Sequence, residues 1–285
     1  MREMKIPVGM PAEVLDACIG SIGNEDLRNR VLEVRQNFID ASVSYRKSAE
    51  IAQLYTFLVN HQKDEEILVG NVTKGEVKNL YTYNLVKKIG ARSYYDSILA
   101  AAPRGICPLC GVGMAATLDH YMPKAKFPLF SVLPLNLVPA CRDCNTGKLA
   151  EFGEDKESQS LHPYFDISPF VTEQWIFAEV LISSPATIRF FVSAPDTWLR
   201  ENKERAKAHF DAFKLAARFS IMAANELSSL TGMLADYVSH SGPGAVREFL
   251  TACATTELAL HKNSWRAAFF QALAANDWFC EKGYL

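Results

Sequence analysis

Several features that mark special classes of protein are missing from this chain of 285 residues. No apolar run has the length of a secretory signal or a membrane span, because residues 1–8 carry charges and the most apolar stretch, 175–192, is interrupted by Glu179, Pro185 and Arg189. Neither a repeat of about 20–50 residues nor a flexible Pro, Gly or Ser linker is present. These absences predict a cytoplasmic protein with no membrane association.

An excess of charge of one sign is missing as well. The 30 Lys and Arg residues nearly balance 32 Asp and Glu residues, which gives a formal net charge of −2. A uniformly basic nucleic-acid binder is therefore excluded, and any site for a polyanion must be local. The segment 104–148 is one candidate, since its five Lys and Arg and two Asp give a net charge of +3. The same count also fits an ordinary solvated surface.

The composition is that of a globular protein. Hydrophobic residues make up 49% and charged residues 22% of the chain, and its length suits one to three domains at about 100–200 residues each. Apolar residues recur at helical spacing through 25–59 and most of 197–275, whereas 175–183 and 187–192 have the β-branched and aromatic content of two strands. We predict an α+β, mostly helical fold.

Local signals divide the chain into three regions. Thr73 and Glu76 have the spacing of a capping box, which opens a predicted helix over 77–89 that Gly90 ends. A segment rich in Cys, Pro and isolated Gly follows the helices. The acidic stretch after it is typical of a solvated connecting segment. The predicted regions are 1–103, which is helical; 104–150, which carries the chemistry; and 161–285, a strand pair plus helices.

Four of the seven cysteines form two Cys-x-x-Cys pairs. A two-residue gap lets both sulfurs turn toward one point, and two such pairs supply the four thiolates that tetrahedral Zn²⁺ prefers. A redox pair and a coincidental group of buried cysteines are the alternatives. A closed four-cysteine site has no open coordination position, so zinc would brace the chain there rather than catalyse. The predicted ligands are Cys107, Cys110, Cys141 and Cys144, and the cysteines that suit helix packing are Cys18, Cys253 and Cys280.

The second cysteine pair also carries a helical pattern. At about 100° per residue, a helix from residue 141 onward would gather a metal ligand, an amide oxygen and a cation within one arc of roughly 100°. The residues on that face would be Cys141, Cys144, Asn145 and Lys148, and those pointing away would be Arg142, Asp143 and Thr146.

The residues from 107 to 148 resemble a known family. Their order, Cys-x-x-Cys, Asp-His-x-x-Pro-Lys and Asn-Leu-Val-Pro-x-Cys-x-x-Cys-Asn-x-x-Lys, resembles the zinc-braced branch of the HNH endonucleases, whose fold is the ββα-metal finger. The resemblance implies that Asp119 and Asn145 hold a catalytic divalent ion, that His120 is the general base and that Asn136 fixes the loop. It also implies that the four paired cysteines bind structural zinc.

The chemistry implied by the resemblance is phosphodiester hydrolysis. A neutral His120 would take a proton from water, and Mg²⁺ or another divalent ion would relieve charge on the phosphate. Lys148, together with Lys124 or Arg142, would hold the phosphate. Two departures from common relatives are Asn145 in a position often taken by His, and the absence of a Gly-Gly after the Asp-His loop, where residues 127–134 stand instead. His162 either adds a ligand or phosphate contact or packs inside an aromatic turn.

The layout of the whole chain resembles a narrower group, the HNH components of bacterial antiphage systems that are paired with an ATPase, such as Septu and retron-linked systems. The implied function is metal-dependent cleavage of DNA, favoured over RNA, by the nuclease effector of a defence complex with an ATPase partner. The alternative from another class is a non-catalytic zinc module that binds nucleic acid or a protein. The joint presence of Asp119, His120, Asn136 and Asn145 argues against that alternative, because a binding finger needs none of them.

Overall fold

A computed structural model describes residues 1–7, 11–148, 152–241 and 244–284, with all side chains in these ranges except those of residues 148 and 238–241. The chain divides into two compact units, one formed by residues 2–165 and the other by residue 1 with 166–285. Among the described residues, no helix combines the length and the apolar character needed to cross a membrane.

The unit of residues 2–165 is mainly helical. Side-chain caps begin two of its helices: Asn24 accepts a hydrogen bond from the Leu27 amide, and Thr73 and Glu76 form the predicted capping box. Its elements are α1 (Pro11–Gly20), α2 (Glu25–Glu33), α3 (Arg35–Glu50), β1 (Ile67–Val69), β2 (Val72–Thr73), α4 (Lys74–Asn79), a π-helix (Leu80–Leu85), α5 (Ile89–Ala100), β3 (Thr117–His120), β4 (Leu137–Ala140) and α6 (Arg142–Lys148).

Two helices of this unit differ from their predictions. The helix predicted over 25–59 is broken near Val34 and ends at Glu50. The helix predicted to end at Gly90 instead ends before Lys88, whose backbone is extended, and Gly90 lies in the first turn of α5. Glycine has no side chain that would cap or block a helix. Tertiary packing therefore decides whether Gly90 ends one helix or lies at the start of the next.

Strands β3 and β4 form an antiparallel hairpin that packs against the helices. Asp119 lies opposite Val138, and His120 lies opposite Leu137. The Tyr81 hydroxyl donates to the Leu118 carbonyl at 2.9 Å, and the Tyr95 hydroxyl accepts from the Leu118 amide at 3.2 Å. The helices and the hairpin therefore share one core and one compact unit, whereas the sequence-based division separates them at residue 103.

The unit of residues 166–285 contains the predicted strand pair and four long helices. Buried Asp166 and Arg205 form a two-pronged ion pair, with oxygen to nitrogen distances of 2.7 and 2.6 Å. Its elements are β5 (Ile176–Leu181) and β6 (Thr187–Val192), which pair antiparallel, then α7 (Arg200–Ala212), α8 (Leu215–Ser241), α9 (Ala245–Leu260), α10 (Trp265–Ala275) and a terminal π-helix (Phe279–Gly283). The two units together confirm an α+β, mostly helical fold.

Candidate metal centre and adjoining site

The four paired cysteines come together as one buried cluster. Cys107 and Cys110 lie in the turn before β3, Cys141 follows β4 directly, and Cys144 lies in the first turn of α6. Their sulfur atoms all lie within 4.8 Å of one another, and the Cys110 and Cys141 sulfurs are 3.8 Å apart. An edge of a tetrahedron with metal–sulfur bonds of about 2.3 Å is about 3.8 Å long. The cluster therefore has the dimensions of a four-thiolate metal site.

The turn that carries the first two cysteines depends on two glycines. Gly111 has a φ of +72°, a left-handed conformation that side chains disfavour. A Cβ on Gly113 would lie 2.7 Å from the Cys141 Cβ and 2.8 Å from its sulfur, so a side chain at 113 would push the two halves of the cluster apart. The Gly113 amide also donates to the Cys110 sulfur at 3.4 Å. No local sequence pattern distinguishes Gly113 as a residue of the site.

Hydrogen bonds among the four clustered thiols shift their pKa values in both directions, whereas burial sets the pKa of the isolated thiols. Hydrogen bonding with Cys107 lowers the pKa of the Cys110 thiol and brings the pKa of the Cys141 thiol to about 6, which favours the thiolate form that binds metals. Hydrogen bonding with Cys110 raises the pKa of the Cys107 thiol, and hydrogen bonding with Cys107 raises the pKa of the Cys144 thiol. Burial instead raises the pKa of the Cys18 thiol to about 12 and also raises the pKa of Cys253. The isolated thiols therefore remain protonated, as packing residues do.

His120 lies at the end of β3 with its ring fixed on two sides. Its Nε2 atom lies 2.8 Å from the Ser131 carbonyl oxygen, and the edge of the Tyr81 ring packs against it with a centroid distance of 4.3 Å. Because a carbonyl oxygen only accepts, Nε2 must donate its hydrogen, and Nδ1 is then the nitrogen that accepts a proton in the neutral ring. His120 as a whole is 8% exposed, so only a small part of the residue reaches the surface.

The predicted metal ligands Asp119 and Asn145 lie on one face of the hairpin. The Asn145 amide nitrogen donates to the Thr117 hydroxyl at 3.3 Å, which places α6 beside β3. Thr117 and Asp119 are two residues apart in a strand, so their side chains lie on the same face. On α6 itself, Cys144 is buried and Asn145 half-buried, whereas Arg142, Asp143 and Thr146 are exposed, as the helical pattern predicts.

Asn136 is fully buried and holds the loop between β3 and β4. Its amide oxygen accepts from the Met122 amide at 2.7 Å and from the Tyr45 hydroxyl at 3.1 Å. Its amide nitrogen donates to the carbonyls of Met122 and Phe130 at 3.0 and 3.1 Å. One side chain thus joins both ends of the loop, which also contains Ser131, the partner of His120.

His162 is connected to Asn136 through the Tyr45 hydroxyl, which hydrogen-bonds with both side chains. The Tyr164 amide donates to His162 Nδ1 at 3.2 Å, so Nε2 carries the hydrogen and lies 3.1 Å from the Tyr45 hydroxyl. Burial raises the pKa of Tyr45 well above its usual value, which keeps its hydroxyl available as a donor to Asn136. His162 is 1% exposed, and its ring centroid lies 4.1 Å from that of Tyr121, which corresponds to the packing alternative.

The three predicted phosphate-binding cations have different surroundings. The Lys124 ammonium donates to the Thr82 hydroxyl at 2.8 Å and lies 4.7 Å from the Tyr81 ring centroid. Burial lowers the pKa of Lys124, and the nearby charge of Lys78 lowers it further. Arg142 is exposed on α6. The side chain of Lys148 lies outside the described residues, as do residues 149 and 150 of the predicted module.

Residues far from the site in the sequence support it through side-chain contacts that local sequence patterns do not reveal. Tyr45 and Tyr81 contact Asn136 and His120 across 91 and 39 positions of the chain, and each reads locally as an ordinary buried aromatic of a helix. Burial raises the pKa of Tyr81, and the charges of Tyr95 and Asp119 raise it further, so its hydroxyl remains a donor. No local pattern distinguishes these tyrosines from other core residues.

Replacing Asn136 with alanine is expected to lower the free energy of unfolding by at least about 3 kcal/mol, because several buried polar partners lose their hydrogen bonds together. Tyr45→Phe removes one hydroxyl and is expected to cost about 1 kcal/mol. Urea denaturation followed by circular dichroism measures both. Asn37→Ala, an exposed position in α3, is the matched control. An Asn136→Ala protein as stable as the control would contradict the anchoring role.

Comparison with known proteins relates this chain to a bacteriophage protein along its whole length. No sequence-family profile matches the chain, and no solved structure matches it. Protein ea31 of Escherichia phage lambda is 33% identical over 293 aligned positions, which cover 98% of this chain and 99% of the lambda protein. An identity of this size along the full length of both chains indicates common descent and a shared fold. The chain therefore belongs to the family of the phage lambda protein ea31.

Proposed function

We propose that the protein is a metal-dependent endonuclease of the HNH type that hydrolyses phosphodiester bonds of DNA. The observation that carries the proposal is the unit formed by β3, β4 and α6: a short hairpin and helix that together hold the cysteine cluster, with Asp119 and His120 at the end of β3 and with Asn145 on α6 hydrogen-bonded to Thr117 of β3. This strand–strand–helix order is the one that the sequence resemblance implies.

Zinc is the ion that we assign to the cysteine cluster. Four buried sulfur donors with tetrahedral spacing suit Zn²⁺, and a site with four protein ligands is closed to substrate. A bound zinc ion would hold the turn before β3 to the start of α6. The assigned role of the ion is structural, because it would hold β3 and α6, which carry the candidate catalytic residues, in place.

The oxygen atoms of Asp119 and Asn145 suit a second ion of a different kind. A carboxylate and an amide oxygen are hard donors, which fit Mg²⁺ or a similar divalent ion that keeps water and substrate phosphate as its other ligands. Such an ion, when bound, offsets the negative charge that develops on the phosphate oxygens. The hydrogen bond from the Asn145 amide nitrogen to Thr117 orients this side chain and leaves its amide oxygen as the atom that would bind the ion.

In the proposed reaction His120 acts as the general base. Its Nδ1 atom takes a proton from the attacking water, while Nε2 remains bonded to the Ser131 carbonyl and keeps the ring in this tautomer. Asn136 supports this geometry because it fixes the loop that carries Ser131. Lys124, Arg142 and Lys148 are the assigned phosphate-binding cations.

Nicking of supercoiled plasmid DNA tests the proposal. The purified protein is incubated with Mg²⁺ or Mn²⁺ and, in parallel, without added divalent metal, and open-circular and linear products are quantified. Metal-dependent nicking supports the nuclease. No nicking with either metal, in protein that is folded and contains zinc, would favour the alternative, a non-catalytic zinc module that binds nucleic acid or a protein.

We further propose that the protein is the nuclease effector of a bacterial antiphage complex and that an ATPase is its partner. A net charge of −2 and a local charge of +3 provide few phosphate contacts, and each contact contributes about 0.9 to the salt dependence of log K, so unaided DNA binding at physiological salt is expected to be weak. A partner that delivers DNA would remove this limitation.

Co-expression with the product of the neighbouring gene is expected to yield a stable complex in size-exclusion chromatography, and the complex is expected to cut DNA faster than the isolated chain. Adding ATP to the complex tests whether the partner gates cleavage. Salt-resistant cleavage by the isolated chain, with no partner recovered from the native host, would contradict the partner proposal and leave the nuclease proposal intact.

A further inference from the structure

The charge of the chain is distributed unevenly along its length. Residues 77–148 contain nine Lys and Arg and three Asp, a net charge of +6, so the remaining residues carry −8. Part of this excess lies outside the predicted nuclease module, in 77–95, which has four cations, four tyrosines and no carboxylate. A positive and aromatic segment in an acidic protein is a candidate surface for a polyanion.

This segment reaches the candidate site. Its π-helix, Leu80–Leu85, carries Tyr81, whose ring packs against His120 with a centroid distance of 4.3 Å. The next residue, Thr82, accepts a hydrogen bond from Lys124 at 2.8 Å. A strand of nucleic acid bound at Lys124 would therefore meet the exposed residues that follow Thr82.

The exposed Tyr83 and Lys87 and the half-buried Lys88 form a small aromatic and cationic surface, which we call the 83–88 surface. Tyr83 is 49% exposed, and the Lys88 and Lys87 ammonium groups lie 4.6 and 5.8 Å from its ring centroid. Among the described residues, no carboxylate lies within ion-pair distance of either lysine, whereas Lys78 is paired with Asp64. The charges of Lys87 and Lys88 therefore remain available to a ligand.

We propose that the 83–88 surface binds a single-stranded stretch of the DNA substrate next to the candidate site, an inference that rests on the proposed nuclease function. Lys87 and Lys88 contact phosphates, and Tyr83 stacks on an unpaired base. Cations beside an exposed aromatic ring are the combination by which proteins hold single strands without reading their sequence. Bases within a duplex are already stacked on their neighbours and leave Tyr83 without a partner, so single strands are preferred.

Fluorescence anisotropy with a labelled single-stranded DNA of about 20 nucleotides, longer than the roughly 4–16 nucleotides of a typical single-strand site, tests the proposal. All proteins carry His120→Ala so that the probe is not cut. Lys87→Glu combined with Lys88→Glu is expected to weaken binding at least about tenfold and to reduce the slope of log K against log salt by about 1.4, since each single-strand phosphate contact contributes about 0.7. Tyr83→Ala is expected to weaken binding about tenfold, with rescue by Tyr83→Phe.

The matched control is Lys207→Glu combined with Lys282→Glu, which makes the same change of net charge at exposed positions of the other compact unit. Thermal unfolding by circular dichroism verifies that all variants are folded. The inference is overturned if the 83–88 variants bind like the control, or if the duplex of the same sequence binds as tightly as the single strand.

Plasmid cleavage by the protein without the His120 change separates this inference from the nuclease proposal. Cleavage together with unchanged binding by the 83–88 variants would overturn the surface and keep the nuclease. Loss of single-strand binding in those variants, in a protein that never cuts, would support the surface and reject the nuclease.

Discussion

Replacing His120 with glutamine is expected to slow DNA cleavage by at least about 100-fold, the lower end of what a general base contributes. Glutamine keeps an N–H group that can donate to the Ser131 carbonyl, the bond that His120 Nε2 makes at 2.8 Å, but it has no nitrogen that takes a proton. Asp119→Asn is expected to remove activity by weakening the binding of the proposed catalytic ion. The rate of plasmid nicking under single-turnover conditions is the measurement.

His61→Ala is the control for these variants, because His61 is exposed and has no place in the candidate site. It should cut at the rate of the unaltered protein. Zinc content and the unfolding midpoint should be the same in all four proteins. If His120→Gln and Asp119→Asn both cut at the rate of the control, the HNH assignment is wrong or the activity belongs to a contaminant.

Replacing Cys144 with serine is expected to unfold the cysteine module or make the protein insoluble, because structural zinc in small fingers contributes about 10 kcal/mol or more of folding free energy. The unaltered protein should contain about one zinc ion per chain by elemental analysis. Prolonged treatment with a strong chelator should produce the same loss of structure as Cys144→Ser, observed as a drop in the unfolding midpoint by circular dichroism.

Two further variants make the zinc prediction specific. Cys253→Ser changes a half-buried cysteine outside the cluster and should keep both zinc and stability. Gly113→Ala keeps all four thiols but places a Cβ within 2.8 Å of the Cys141 sulfur, so it should lower zinc content without removing a ligand. Folded, soluble protein that contains no zinc would contradict the assignment of the cluster.

Elements that depend on short-range chemistry were predictable from the sequence. The capping box of Thr73 and Glu76 forms as its residue types require, because a hydroxyl and a carboxylate three residues apart can satisfy helix amides with no help from the rest of the chain. The strand pair β5 and β6 likewise lies where the β-branched and aromatic residues predict it. The exposed outer side of α6 follows the helical period from Arg142 to Thr146.

Helix ends and region boundaries were less predictable. Gly90 lies inside α5 rather than at the end of a helix, and the break falls at Lys88 instead. The buried residues of α5 belong to the same core as Leu118 and Leu137 of the hairpin. The helical residues and the hairpin share a core through Tyr81 and Tyr95, contacts that join residues far apart in the sequence. The local periodicity of apolar residues does not indicate which distant segments of the chain contact each other.

The sequence alone determined the chemical inventory: four thiols in two close pairs, and Asp119, His120 and Asn145 at spacings that a short hairpin and helix can bring together. The tertiary structure decided how the side chains are oriented and which atoms they contact. The Ser131 carbonyl selects the tautomer of His120, Asn136 holds that carbonyl's loop, and the cysteine sulfurs converge within 4.8 Å. The reason is physical: side-chain identity and local spacing act over a few residues, whereas a hydrogen bond's direction and a buried cluster's size depend on the packing of segments distant in the chain.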